Sequence, residues 1–95
     1  MKFEWDETKD ISNQRKHGVS FRFATFAFDD PLHVTRQDRL EDDGELRWKT
    51  IGLVNRTLLL LVAHTLTDDD GNEEIVRIIS ARTATASERK SYEND

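Results

Sequence analysis

"LRWKTIGLVNRTLLLLVAHT", residues 46–65, decides the fold. Two runs rich in branched and aliphatic residues flank Asn55 and Arg56, a pair that suits a tight turn, so the stretch predicts a β-hairpin. A third run of the same kind, "EEIVRIISA" at residues 73–81, follows the turn-forming "DDDGN". Three consecutive strands joined by short turns make an antiparallel meander. Beyond it, "TATASERKSYEND" reads as a helix, because Thr85 and Glu88 have the spacing of a capping box.

Toward the N-terminus the pattern changes. "KFEWD" alternates as a short first strand, and Asp6 or Thr8 can cap a helix running to about His17. Ile11 is the only aliphatic residue of that helix, which predicts a surface position. Arg15, Lys16 and His17 complement its carbonyl end, and Gly18 is a natural left-handed stop. Ser20 can cap a second short helix in which Phe21, Ala24 and Phe28 recur at helical spacing, although strand alternation fits its first half equally well. Asp29, Asp30 and Pro31 end that element. Residues 32–45 read as a short strand, "HVT", followed by a polar, acidic loop ending "EDDGE". The expected fold is a single α+β domain over residues 1–95, with two N-terminal helices and one C-terminal helix against an antiparallel sheet.

Bulk properties narrow the function classes. The chain has no cysteine, which removes disulfides, thiolate nucleophiles and cysteine-based zinc sites. The longest apolar run, "TLLLLVA", is too short to span a bilayer, no secretory pattern precedes the first strand, and the expected location is cytoplasmic. The net charge of −5 is unevenly spread. Residues 29–45 hold seven acids against two bases and residues 68–74 hold five acids, whereas Arg47, Lys49 and Arg56 stand in residues 46–67 without any acid. A basic face on an acidic molecule is compatible with this pattern.

The three histidines, His17, His33 and His64, have no metal-binding spacing, and the acidic runs lack the layout of a calcium loop. Glycine-rich phosphate cradles and serine-nucleophile motifs are absent, so no cofactor is implied. Strand alternation puts Ile75, Arg77 and Ile79 on one face of the last strand, with Ser80 and Arg82 on the other. Arg77 then either ties the strand to a carboxylate or faces a ligand, and Arg82 stands where sheet gives way to helix. A histidine such as His64 at the end of an apolar run is more often a satisfied sheet residue than a catalyst. Trp48 and Tyr92 are candidates for base stacking, with core packing as the ordinary alternative.

Read together and in order, "FEWDE.K", "N..KHGVSF", "F.DP", "GE.R", "HT", "RIISAR" and "ER..YE" resemble the BrnT family of bacterial toxins across nearly the whole chain. The resemblance implies a compact RelE-type ribonuclease that cuts RNA without a metal ion. It also implies a ribbon-helix-helix antitoxin, BrnA, as neutralising partner, with DNA contacted only through that antitoxin. Carried onto this sequence, it implies that Arg47, Arg77 and Arg82 hold the phosphate, that His17 or His64 transfers protons, and that Lys16 adds positive charge. The alternative expectation is a non-catalytic binding module within a DNA-binding toxin–antitoxin complex.

Overall fold

The computed structural model describes residues 1–94. Strand β1 (Lys2–Glu4) leads into helix α1 (Glu7–His17), the short helix α2 (Phe21–Ala24) and a 3-10 turn (Thr25–Asp29). Four longer strands follow, β2 (Val34–Leu40), β3 (Leu46–Val54), β4 (Leu58–Asp68) and β5 (Glu74–Thr83), and helix α3 (Ala86–Glu93) ends the described chain. The five strands form one sheet in the order β1-β5-β4-β3-β2. The expected α+β class holds, and β2 to β5 are antiparallel neighbours as the meander requires. One correction concerns β1, which pairs with β5 in parallel, so the sheet is mixed.

Strand β4 runs through the centre and is covered on both faces, which explains its unbroken apolar stretch. Leu60 and Val62 join Val54, Val76, Ile78, Ala81 and Phe21 in a core under α2 and the 3-10 turn. Leu59 and Leu61 point the other way and meet Ile51, Leu53, Ala84 and Tyr92 beneath α3. Each such side chain contributes roughly 1.5–3 kcal/mol on burial. The Asn55-Arg56 turn has the positive backbone angles, 53° and 64°, of a tight hairpin whose twist matches its strands.

The N-terminal helix is held by polar groups, which is why its apolar face is thin. Ile11 is half exposed, whereas Asp10 and Asn13 are buried. The Asn13 amide donates to the carbonyls of Val19 and Ala81, both at 2.8 Å, and its oxygen accepts the Ala81 N–H at 3.1 Å. That pair of bonds satisfies the edge of β5 just where β1 has ended. Asp10 accepts the Phe21 N–H at 2.9 Å and so fixes where α2 begins. Capping is as expected at all three helices: Asp6 accepts from Lys9, Ser20 from Phe23, and Thr85 and Glu88 form a reciprocal box. Gly18 closes α1 with φ 71°. The last residue of the expected C-terminal helical segment, Asp95, lies outside the described residues.

Two strand features depart from expectation. Strand β2 occupies residues expected to form mainly a loop; six of its seven positions are exposed, so no apolar alternation marks it. The second departure is a bulge between β4 and β5: Ala63 pairs with Ser80 but His64 pairs with Ile78, leaving Ile79 as the extra residue. Simple alternation past that point therefore fails. Arg77 lies opposite Thr65 and Arg82 opposite Leu61, four residues apart on β4, so the two arginines share a face.

Gly52 sets how closely the 3-10 turn approaches β3, because a Cβ there would lie 2.8 Å from the Ala27 carbonyl carbon. Gly52→Ala is expected to lose about 1–3 kcal/mol through overpacking against rigid backbone. A fall of several degrees in melting temperature should show this in a thermal melt, and an unchanged midpoint would contradict the close approach.

Candidate functional site

The face of the sheet that carries α3 also carries most of the basic side chains on the strands. Strand register arranges them in three rows. Arg82 on β5 aligns with Leu61, Ile51 and Val34; Ser80 aligns with Ala63, Lys49 and Arg36; and Arg77 aligns with Thr65, while Arg47, one step beyond the Trp48–His64 pair, aligns with Arg39. The bulge at Ile79 brings Arg77 to the face that Ser80 and Arg82 already share. Among the expected site residues, Arg47, Arg77 and Arg82 are thus brought together on one surface. Arg36 and Arg39 were not singled out by sequence reasoning, and Lys49 was named only as part of the acid-free basic stretch. Lys49 is two residues from Arg47 and could have been found by strand alternation, whereas Arg36 and Arg39 lie in the unrecognised strand β2.

Carboxylates neutralise part of this surface. Glu45 accepts from Arg47 Nε at 3.0 Å and from Arg77 Nη2 at 3.3 Å, joining the two arginines through one side chain. Glu41 accepts from Arg39 Nε at 3.0 Å. At the other end, Arg82 grips Glu88 with two parallel bonds, 2.7 Å from Nη1 and 2.9 Å from Nη2. The hydrogen bonds from Arg82 are the main reason that the Glu88 carboxyl is held down to about 2, and Glu88 in turn raises the Arg82 guanidinium. Because Glu88 also accepts the Thr85 N–H at 2.9 Å, one carboxylate caps α3 and ties it to β5.

A second tether reaches α3 from the turn before β2. Asp30 accepts the Tyr92 hydroxyl at 2.5 Å and the N–H groups of Leu53 at 2.8 Å and Leu32 at 2.9 Å. Burial pushes the Asp30 carboxyl up, but these bonds together outweigh it and leave it below the usual range. Burial first and Asp30 second raise the Tyr92 hydroxyl to about 12.

His64 is fully buried on the opposite face, away from the basic rows. Thr65 has only a carbonyl to offer, so the imidazole Nδ1–H donates to it at 3.1 Å, and Nε2 accepts the Thr50 hydroxyl at 2.7 Å. Thr50 accepts in turn from the Thr35 hydroxyl at 2.7 Å, and the Phe28 ring stands edge-on to the imidazole with centroids 5.1 Å apart. This network holds a neutral imidazole with both nitrogens satisfied. Burial accordingly lowers the His64 pKa, with the Thr65 bond opposing. The geometry replaces the expectation of proton transfer by His64 with a structural role, since nothing outside the core can reach it.

Lys16 and His17 stand apart from the rows, at the exposed end of α1. Helix α1 runs alongside β5: Asp6 and Lys9 share a surface hollow with Ile78 and Ile79, and Asn13 meets Ala81. Lys16 and His17 follow Asn13 by one helical turn, and Asn13 is bonded to Ala81, the residue before Arg82. Among the described residues no three His, Cys, Asp or Glu side chains converge as a metal-binding group.

Two outcomes follow for stability against pH. A depressed folded-state pKa at His64 stabilises the fold fully above about 6.5, the unfolded value, and that contribution falls as pH drops below it. Urea midpoints should decline through this window in the natural protein, and His64→Gln should flatten that decline. For Glu88 the contribution is present above about 4.3 and disappears as pH falls toward about 2. Glu88→Gln should remove that acid-side slope, and an unchanged acid profile would show that the pair with Arg82 does not form.

Comparisons with known proteins agree with this architecture. The family model described as "Ribonuclease toxin, BrnT, of type II toxin-antitoxin system" matches residues 5–88. No curated protein matches the sequence. Among solved structures, the crystal structure of the Brucella abortus ribonuclease toxin BrnT is similar, with 28% identity and a TM-score of 0.60 over 90% of this chain and 97% of that one. The relationship is to BrnT itself, a closer description than the RelE-type label. With most of its length matched by the family model, and with its sheet and helices in the arrangement of a solved BrnT, this chain belongs to the BrnT family of ribonuclease toxins of type II toxin–antitoxin systems.

Proposed function

We propose that this chain is a metal-independent endoribonuclease that works on the basic face of its sheet, acts in the cytoplasm, and is restrained by a ribbon-helix-helix antitoxin of the BrnA type. The observation that carries the reading is the alignment of Arg36, Lys49, Arg47, Arg77 and Arg82 on one face of an acidic molecule. RNA cleavage without a metal needs the 2′-hydroxyl to lose a proton as it attacks the phosphorus. The phosphorane must then be stabilised by cations, and the leaving 5′-oxygen must be protonated. Guanidinium forks suit the second task.

The six residues expected from sequence take unequal parts. Arg77 makes a single 3.3 Å bond to Glu45, and Arg47 contacts that same carboxylate through Nε, so both keep donors for a phosphate. Arg82 has both terminal nitrogens on Glu88, which makes it chiefly the anchor of α3, and its Nε–H, which meets no acceptor among the described residues, is left for RNA. The rows of Arg77 and Arg82 are four β4 residues apart, about 13 Å, so the two serve different phosphates of one strand. His17 is an exposed imidazole that follows Asn13, the partner of Ala81, by one helical turn, and it takes the proton-transfer role, with Lys16 supplying charge beside it. His64 supports the sheet from below. DNA is reached only through the antitoxin.

The carboxylates on Arg47, Arg77 and Arg82 favour one second reading, a binding module in a toxin–antitoxin repressor complex whose cations serve the fold. Incubation of the purified protein with single-stranded RNA in EDTA separates the two. Cleavage should proceed, and it should fall at least tenfold in Arg77→Ala and about a hundredfold in His17→Ala, with unchanged circular dichroism. Intact RNA from folded natural protein would leave the binding module standing. If about three phosphates are contacted, log affinity for a non-cleavable single strand should fall with log salt at a slope of about −2.

A further inference from the structure

A cavity of about 210 Å³ opens between α3 and the β2–β3 part of the basic face, lined by Val34, Arg36, Lys49, Ile51, Ser87, Glu88 and Ser91. Its floor is apolar, from Val34 and Ile51, which pair across β2 and β3. Its sheet-side wall is cationic, and its helix-side wall carries the hydroxyls of Ser87 and Ser91, one helical turn apart. Glu88 is already engaged by Arg82 and Thr85. The side chains of Lys49, Ser87 and Ser91 make no hydrogen bond or ion pair among the described residues, in contrast to those of Arg47, Arg77 and Arg82 beside them. The neighbouring row positions Ala63 and Ser80 are small, so the approach to Lys49 from β4 and β5 is low and open.

We propose that this cavity seats one unpaired nucleotide of the RNA, deepening the reading above and resting on it. The phosphate lies against the Lys49 ammonium, a strand cation that pairs with no carboxylate among the described residues. The base stacks over the Val34 and Ile51 side chains, and its polar edge meets the Ser87 and Ser91 hydroxyls, each of which can donate or accept. A volume below the ~300 Å³ lower end of ordinary ligand pockets admits one flat ring, not a base pair. Single-stranded RNA offers such splayed bases, whereas a duplex conceals them. Ser87 and Ser91 are then specificity-determining residues at the base flanking the scissile phosphate, and α3 is one wall of the substrate site.

Two experiments on the full chain test this. In the first, isotope-labelled protein is titrated with each nucleoside 3′-monophosphate, with inorganic phosphate and with free nucleosides. Saturable shifts at Val34, Lys49, Ile51, Ser87 and Ser91 are expected with nucleotides, differing between bases, and Ser91→Leu should abolish them by filling the cavity from an exposed helix position. Equal shifts with inorganic phosphate would reduce the cavity to an anion site and overturn the proposal, as would no shifts at all. In the second, the ends of cleaved RNA are sequenced. Ser87→Ala/Ser91→Ala should flatten the preference at one flanking position by about tenfold, and an unaltered profile would overturn the subsite while leaving the ribonuclease intact. A natural protein that cuts no RNA would instead defeat the broader reading, and the nucleotide titration alone would then decide the cavity.

Discussion

The two-sided burial of β4 is the constraint from which the other features follow. A central strand that hides Leu60 and Val62 on one side and Leu59 and Leu61 on the other needs a layer on each face. α2 and the 3-10 turn cover the first. On the second, the sheet is too broad for an eight-residue helix, so α3 covers only the rows of Leu59 with Leu53 and of Leu61 with Ile51. The uncovered remainder is solvated, and it is there that Lys49, Arg47 and Arg77 stand. The same packing demand that fixes the core therefore leaves a half-open basic surface with a helix at its rim.

Charge on this face is tempered by the fold's own acids. An acidic protein meets RNA unfavourably at long range, but potentials near a surface depend on local arrangement, and screening confines distant acids to about 8 Å at physiological salt. The acidic β4–β5 turn lies at the far end of the sheet near β1, where Glu73 meets the N-terminus at 3.3 Å and Asp69 meets Lys2 at 3.5 Å. Glu45 and Glu88 are different, since they sit within the basic face and orient its arginines. They hold guanidinium planes in place while leaving some donors outward, at the cost of local attraction for phosphate.

Much of the fold was legible in the sequence because several signals were local. The hairpin at Asn55-Arg56, the caps at Asp6, Ser20 and Thr85, and the stop at Gly18 each depend on residues within a turn of one another. What escaped was non-local. Strand β2 forms because β3 offers a partner, not because its own residues alternate. The parallel seat of β1 depends on β5, more than seventy residues away. The same limit governed the site. Arg77 and Arg82 were read onto opposite faces by strict alternation, and a single extra residue, invisible without the facing register of Ala63 and His64, reversed that. His64 illustrates the opposite case: its apolar flanks already pointed to a satisfied core residue, and its resemblance-based role yielded to burial.

Asn13 carries a consequence for how this sheet can meet other chains. Its carboxamide presents a donor and an acceptor to Ala81 with the spacing of a backbone peptide, so it acts as a one-residue strand. β1 occupies the preceding stretch of β5, and α1 lies along the rest, so that margin offers an incoming strand only the three residues of β1. The opposite margin is the seven-residue strand β2, whose outward backbone groups, at alternate residues, are guarded by alternating charges at Arg36, Asp38 and Arg39 and by an irregularity between Gln37 and Arg39. Sheet growth is thus confined to three residues on one side and filtered on the other: a longer strand that extends this sheet comes to β2, and it must answer that sequence of charges.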